Sequence, residues 1–183
     1  MIHDLLLKNR SYRSFDASVS VSKETLISLV DNVRYTPSTR NAQGLRFRLC
    51  YEKGECANLL ALTKWAGALK DRHFPPEGHE PAAYIVICAV EDIFMRDVGI
   101  AAQTLLLSAT EMGLGGCMIG SYDAEKVSDL LGIPSEWKPR LVLALGKPDE
   151  VVVLEDAEES LTYYRDENDV HHVPKLKTKD LLL

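Results

Sequence analysis

The sequence has no surplus of basic residues, no long apolar run and few cysteines. Its 21 lysines and arginines are outnumbered by 27 aspartates and glutamates, which leaves a net charge of −6. A nucleic-acid-binding domain usually carries a basic surplus on one face, so this balance argues against that class. A site for an anion must therefore be assembled locally from a few basic side chains.

The longest apolar run, from Val98 to Ala109, is shorter than the roughly 20 residues that a membrane-spanning helix requires, and it is interrupted by Gln103. The N-terminus lacks the basic segment and apolar stretch of a signal peptide. We therefore expect a cytoplasmic protein.

Several common site patterns are also absent. No two of the four cysteines have CxxC spacing, and Cys88 and Cys117 lie in apolar runs, which predicts buried, reduced, structural thiols. The pairs His73/His79 and His171/His172 lack the i, i+4 spacing of helical metal ligands, so no metal site is predicted. There is no Gly-x-Ser-x-Gly nucleophile elbow, and no side chain is assigned as catalytic.

The length of 183 residues and the 46% hydrophobic content suit one domain spanning 1–183. Apolar periodicity predicts helices over 2–9, 23–35, about 55–70, 97–112 and 124–131, with Ser22 and Asp123 as N-caps. It predicts strands over 45–51, 82–90, 117–119, 140–145 and 151–154. Residues 72–81 hold three prolines and a glycine and are expected to be irregular. The C-terminal forty or so residues have little core pattern, which suggests packing against a dimer partner.

A glycine cluster at 113–120 could suggest a dinucleotide-binding loop. However, Met118 occupies the position of the third glycine of GxGxxG, and the cluster follows a helix and precedes a strand. The fingerprint requires a turn from strand to helix, so that a helix N-terminus faces the pyrophosphate. The cluster is therefore not a Rossmann loop.

Two polar turns contain groups suited to an anionic ligand. Arg10 and Arg13 lie three residues apart after the first helix, where two guanidiniums can clamp a phosphate while Ser11 adds a hydroxyl donor. The loop Pro37–Gln43 supplies one cation and two amides. Either turn alone is more typical of an ordinary solvated surface.

Taken together and in order, four segments resemble the motifs of the nitroreductase family. They are the turn Arg10–Phe15, the loop Pro37–Gln43, the glycine-rich segment Gly113–Gly120 and the strand end Leu145–Pro148. The tail from Tyr163 to Lys175 is similar to that of a short subgroup, so the resemblance covers essentially the whole chain. It implies an α+β nitroreductase-like fold with a mostly antiparallel sheet flanked by helices. It also implies a homodimer with flavin mononucleotide (FMN) at the subunit interface, where one motif group serves the neighbour's flavin.

The resemblance also implies which residues bind FMN. It implies that Arg10, Ser11 and Arg13, together with the neighbouring Tyr12, bind the phosphate and the ribityl chain. Lys175 and Lys177 of the C-terminal tail are expected to bind the same end of the cofactor. It implies that the ring and ribityl edge is contacted by Pro37, Ser38, Thr39, Asn41 and Gln43. We add Arg40, because its positive charge suits the N1–C2=O edge of the reduced ring. The other ring edge is expected to meet the backbone of Met118, Ile119, Gly120 and Ser121, where glycine permits close approach.

The function implied is an NAD(P)H oxidoreductase that reduces nitro compounds, quinones or similar small acceptors by ping-pong hydride transfer. NADH and NADPH are both compatible with this resemblance as donors. One alternative is a flavoenzyme of the same fold with other chemistry, such as reductive dehalogenation, enone reduction or flavin fragmentation. Others are a non-enzymatic FMN- or redox-responsive protein and a cofactor-free α+β domain.

Overall fold

The computed structural model describes residues 1–69 and 71–183. Within them the chain forms five α-helices and seven strands, in the order α1 Ile2–Lys8, α2 Lys23–Val33, β1 Leu45–Cys50, α3 Lys53–Ala61, β2 Ala83–Ala89, α4 Met95–Glu111, β3 Gly115–Ile119, α5 Ala124–Leu131, β4 Lys138–Gly146, β5 Val152–Asp156, β6 Tyr164–Arg165 and β7 His171–Lys175. No helix in these two ranges is long and apolar enough to cross a membrane.

The larger sheet has four strands in the order β1-β2-β4-β3, and every neighbouring pair is antiparallel. Its central strand β2 is buried at all seven positions, as its uninterrupted apolar sequence predicted. The predicted α+β class with a mostly antiparallel sheet is therefore confirmed.

Helices cover both faces of this sheet. Alternate side chains of β2 point to opposite faces, so Ile85 and Ile87 join the core beneath α2 and α4, whereas Tyr84, Val86 and Cys88 join the core beneath α3 and α5. All four cysteines are buried and free, as predicted, and Cys50 Sγ lies 3.4 Å from Cys56 Sγ.

Both predicted N-caps are confirmed. Ser22 Oγ accepts a hydrogen bond from the Thr25 N–H at 3.1 Å, and the Asp123 carboxylate accepts one from the Lys126 N–H at 3.2 Å. These bonds satisfy backbone donors that a helix leaves free in its first turn.

The helix predicted over 55–70 was wrong at its C-terminal end, because α3 ends at Ala61. Beyond it, the Lys64 N–H donates to the Ser121 carbonyl at 2.8 Å and the Asp123 N–H donates to the Leu62 carbonyl at 3.2 Å. These tertiary hydrogen bonds hold the backbone out of the helix, and Ala66 has a left-handed φ of 47°. The last residue of the predicted helix, Lys70, lies outside the described residues.

The C-terminal residues form a second sheet, in the order β5-β7-β6, with β5 and β7 parallel. The sequence predicted only the strand at 151–154. A buried ion pair between Glu150 and Arg165 secures this sheet to the first motif, because the Glu150 carboxylate also accepts from the N–H groups of Arg13 and Ser14.

Candidate functional site

Three of the four sequence motifs meet at one place beside β3. Ser11 forms a parallel bridge with Gly116, and the Tyr12 N–H donates to the Gly116 carbonyl at 3.0 Å. Phe15 forms an antiparallel bridge with Pro148. The first turn is thus attached to the edge of the sheet, next to the glycine-rich segment and the end of β4.

The glycines here are required by packing. A Cβ on Gly115 would lie 2.6 Å from the Tyr12 ring, and one on Gly116 would lie 2.2 Å from the Ala144 carbonyl oxygen. Tyr12 itself packs over the glycine strand and donates its hydroxyl to the Lys8 carbonyl at 2.8 Å. By contrast, a Cβ on Gly120 would meet no described atom within 4 Å, so this glycine borders open space.

A cavity of about 300 Å³ lies between the first motif and the C-terminal sheet. Its lining consists of Asn9, Arg10, Ser11, Arg13, Val152, Tyr163, His171, Val173 and Lys175. The structure therefore brings together the predicted phosphate ligands of the first turn and the predicted tail lysine. Three of the described residues that line this cavity are basic and none is acidic, which is the charge arrangement that an anion requires.

Backbone carbonyls hold the two arginines without cancelling their charge. Arg10 Nη2 donates to the Leu6 carbonyl at 2.5 Å, and Arg13 Nη1 donates to the Ser11 carbonyl at 3.2 Å. The Arg13 guanidinium also lies 4.9 Å from the centre of the Tyr163 ring, within the range of a cation–π contact. Burial lowers the pKa of Arg10, but a guanidinium remains protonated in proteins.

Glu150 lies behind this cavity and supports the first turn, a role that the sequence did not predict. Its side chain is 2% exposed and is paired with Arg165, also 2% exposed, and Arg165 lies 4.8 Å from the centre of the Phe74 ring. Because Arg165 compensates the Glu150 carboxylate, the cations of the cavity keep their positive field. Only the position of Glu150, just after Leu145–Pro148, could have drawn attention to it.

His171 was also missed as a site residue. It lines the cavity, is 1% exposed, and neither ring nitrogen has a hydrogen-bond partner among the described residues. Burial, aided by Arg13 and Arg165, lowers the pKa of His171 to about 4. The ring is therefore neutral at pH 7.

The second predicted group lies in a separate cavity of about 230 Å³ between α2 and β1, lined in part by Pro37, Ser38, Asn41 and Gln43. Asp97 of α4 anchors this loop: it accepts from Ser38 Oγ at 3.0 Å, Thr39 Oγ1 at 2.7 Å and the Thr39 N–H at 2.9 Å.

Burial alone would raise the pKa of Asp97, but the hydrogen bonds from Thr39 and Ser38 outweigh burial and hold this pKa below its ordinary value. An ionised carboxylate thus fixes the loop at Ser38 and Thr39.

The backbone of this loop is strained. Arg40, Asn41 and Gln43 have φ values of 54°, 54° and 50°, a left-handed region that residues with a Cβ enter only at a cost of about 1–3 kcal/mol each. Such strain is concentrated at ligand sites. Arg40 is exposed and does not line the cavity.

The remaining predicted residues are dispersed. Met118 is 39% exposed while Ile119 is buried in the core. Ser121 lines a third cavity, of about 390 Å³, together with Thr63, Lys64 and Lys126. Lys177 Nζ pairs with Asp156 at 3.5 Å and does not line the cavity that contains Lys175.

These three cavities share no lining residue within the described parts of the chain. The first turn and the loop Pro37–Gln43 therefore lie at two separate cavities of a single chain. The resemblance implied that one motif group serves the neighbour's flavin, and this stays a prediction.

Two known proteins match parts of the sequence. The chain is 34% identical over 59 residues to protein DrgA of Synechocystis sp., covering 32% of this chain and 28% of that protein. It is 45% identical over 56 residues to the NADPH-flavin oxidoreductase of Vibrio harveyi, covering 30% of this chain and 23% of that protein. The aligned regions thus span about a quarter of the length of these two relatives.

A solved structure extends the likeness over most of the chain. The structure of an FMN-dependent nitroreductase from Clostridium difficile R20291 superimposes with a TM-score of 0.66 at 25% identity, covering 82% of this chain and 88% of that one. The Nitroreductase family model matches residues 6–75 and 90–147, which include the first turn, the loop Pro37–Gln43, the glycine-rich segment and the end of β4. The fold is nitroreductase-like, and the chain belongs to the nitroreductase family.

Proposed function

We propose that the chain is a cytoplasmic, single-domain, FMN-binding oxidoreductase that passes electrons from NADH or NADPH to nitro compounds, quinones or similar small acceptors. The observation that carries this proposal is the cavity formed by Arg10, Ser11, Arg13 and Lys175. It gathers three cations and no carboxylate from its described lining residues, in a protein of net charge −6.

The residues present fit a flavin phosphate. Arg10 Nε and both ring nitrogens of His171 are buried without a hydrogen-bond partner among the described residues, and unsatisfied polar groups of this kind are rare in folded proteins. A phosphate dianion at the basic side chains of this cavity would be held by charge-assisted hydrogen bonds. The proposed phosphate end consists of Arg10, Ser11, Arg13 and Lys175, which line the cavity. Tyr12 in the same turn and Lys177 in the tail are proposed as flanking contacts, and Lys177 would have to leave its pair with Asp156.

The proposed ring end consists of Ser38, Asn41 and Gln43, with Pro37, Thr39 and Arg40 in the same loop. The backbone of Met118–Ser121 is proposed for the other ring edge, and the open space beside Gly120 would allow close approach there.

In a homodimer, residues of two separate cavities could contact the same cofactor. Since the first turn and the loop Pro37–Gln43 lie at different sites of one chain, a second copy could present its loop to the first copy's phosphate cavity. Exposed apolar side chains on α1 and around the start of α4 support such an interface; they are Ile2, Leu6, Leu7, Ile93, Met95 and Ile100.

When bound, FMN supplies the capacity to accept a hydride and to pass electrons on. The chain's own contribution is to bind and orient. The guanidiniums of Arg10 and Arg13 would hold the phosphate, and the amides of Asn41 and Gln43 would offer hydrogen-bond donors to the flavin ring. No side chain is assigned as a general acid or base.

The visible spectrum of the purified protein, with and without NADH or NADPH under anaerobic conditions, tests this function. We expect a flavin spectrum that is bleached by the nicotinamide and restored by a nitroaromatic or a quinone. A colourless protein that takes up no added FMN would refute the proposal. A bound flavin that neither nicotinamide bleaches would indicate a non-enzymatic flavoprotein, and faster turnover of a halophenol would favour a dehalogenase.

A further inference from the structure

His171 occupies the wall of the phosphate cavity with its hydrogen-bonding capacity unused. It lies at the start of β7, the central strand of the C-terminal sheet, and its neighbours in the lining include Arg10, Arg13 and Lys175. A histidine that is 1% exposed with both nitrogens unpaired among the described residues leaves buried polar atoms without compensation. Its position in the cavity wall indicates that the missing partner is a ligand.

The charges around the ring explain its state in the free protein. The ionisable groups that act on it are Arg13, Arg165, His172, Asp169 and Glu150, with Lys175 on the same strand and the Tyr163 ring at 5.3 Å between centres. Burial and the two guanidiniums disfavour the imidazolium, and they lower the pKa of His171 to about 4. The ring is therefore neutral near pH 7, with one N–H group and one lone pair.

A carboxylate lies on one side of the ring. Nδ1 is 3.9 Å from Glu150 Oε2, which is beyond hydrogen-bond distance, and the charge of this carboxylate is already compensated by Arg165. Both ring nitrogens therefore remain without a hydrogen-bond partner among the described residues. A phosphate dianion in the cavity would offset the field of Arg13 and would place an uncompensated anion beside the imidazole. An imidazolium beside a phosphate dianion is favoured over a neutral ring.

We propose that His171 is a phosphate-contacting residue that takes up one proton from solvent when a dianionic phosphate ester binds, and then donates an N–H to a phosphoryl oxygen. This inference rests on the proposed function, because it requires the cavity to accept the phosphate of FMN. By linkage, proton uptake on binding means that affinity for the phosphate rises as the pH falls.

The test is isothermal titration of the full chain, freed of any bound flavin, with FMN in two buffers of different ionisation enthalpy. We expect the wild type to take up more protons than His171→Gln, whose side chain can donate but cannot titrate. His172→Gln is the matched control, because His172 is adjacent in the strand and pairs with Glu155 and Asp166 instead. The phosphate of FMN titrates near pH 6, so the titrations are run at about pH 7.5, where free FMN is already almost entirely the dianion.

Affinities provide a second readout. Loss of a hydrogen bond to a charged group predicts that His171→Phe weakens FMN binding roughly ten- to hundredfold. The affinity for riboflavin, which lacks the phosphate, should stay unchanged, and His171→Gln should recover part of the loss for FMN. Equal proton uptake and equal FMN affinity in wild type and His171→Phe would overturn the inference while leaving the proposed function intact.

The protonation state of His171 can also be measured in the wild type, which does not depend on the folding of a variant. The ring ¹⁵N shifts of His171 should change from those of a neutral imidazole to those of an imidazolium when the protein is saturated with FMN. A ring that stays neutral would overturn the inference. Failure of the wild type to bind any FMN would overturn both the inference and the proposed function.

Discussion

At the residue scale, charge around the first motif is arranged in two layers. Arg10, Arg13 and Lys175 line the cavity, and behind them the buried Glu150–Arg165 pair joins the C-terminal sheet to the turn. The two layers have different tasks, because the outer cations are available to a ligand whereas the charges of the inner pair compensate each other. Substitutions of the outer cations should therefore weaken ligand binding, whereas substitutions in the inner pair should lower the stability of the fold.

We predict that Arg10→Ala weakens FMN binding by about 1.5–3 kcal/mol, the range for a hydrogen bond to a charged group. Fluorescence titration with FMN measures the change. Lys53→Ala removes an equal charge from an exposed position on α3 and should leave the affinity unchanged. An unchanged affinity in Arg10→Ala would contradict its role in the phosphate site.

Glu150→Ala should lower the free energy of unfolding by about 3–5 kcal/mol, because removal of one partner leaves the buried Arg165 charge uncompensated. Chemical denaturation measures this loss. Asp149→Ala, at the neighbouring residue, whose side chain is 53% exposed, should cost less than about 1 kcal/mol. Similar losses in the two variants would show that the Glu150–Arg165 pair does not hold the C-terminal sheet.

At the element scale, β3 connects the motifs. Because Gly115 has no side chain, the Tyr12 ring can pack directly against β3, and Gly116 in the same way lies close to the Ala144 backbone. The first turn can therefore approach the sheet closely. The loop Pro37–Gln43 depends on a different element, because Asp97 of α4 accepts its hydrogen bonds. Each proposed ligand group is thus positioned by a secondary-structure element distant from it in sequence.

We predict that Gly116→Ala destabilises the protein by several kcal/mol, since the added Cβ would lie 2.2 Å from a backbone oxygen that cannot move freely. Thermal unfolding measures the effect. Gly54→Ala in α3, where a Cβ meets no described atom within 4 Å, should keep or slightly raise stability. A Gly116→Ala protein as stable as the wild type would disprove the close packing of β3 against β4.

At the scale of the whole molecule, two adjacent histidines make stability depend on pH in opposite directions. His172 contacts Glu155 at 3.0 Å and Asp166 at 3.4 Å, and hydrogen bonding to Glu155 first, then to Asp166, raises its pKa. Its contribution to stability is therefore fully present below the unfolded pKa of about 6.5 and is lost as the pH rises through the folded value. His171, whose pKa is lowered, removes stability as the pH falls from about 6.5 towards about 4.

We predict that the stability difference between wild type and His172→Gln is largest near pH 6 and shrinks as the pH rises towards 9. Denaturation at a series of pH values measures it. His3→Gln, at an exposed position of α1, should show no such trend. A difference that grows with pH would mean that the contacts to Glu155 and Asp166 do not favour the protonated ring.

The elements that the sequence predicted well are those with strong local signals. Ser22 and Asp123 mark helix starts because a side-chain oxygen caps nearby N–H groups, and the apolar run of β2 marks a strand buried on both faces. The end of α3 was mispredicted because the hydrogen bonds of Lys64 and Asp123 come from segments about sixty residues apart. Local periodicity contains no information on such contacts.

For the candidate site, too, some features were predictable from the sequence and others were not. The sequence alone determined the family, the fold class and the residue types that could bind an anionic cofactor, because ordered motifs preserve chemistry and spacing along the chain. Only the tertiary structure decided that Lys177 pairs with Asp156, that His171 lines the cavity, and that Glu150 accepts hydrogen bonds from the first turn. Those outcomes depend on how β5 and β7 pair and on which charges become buried together, and both are settled only when distant segments pack.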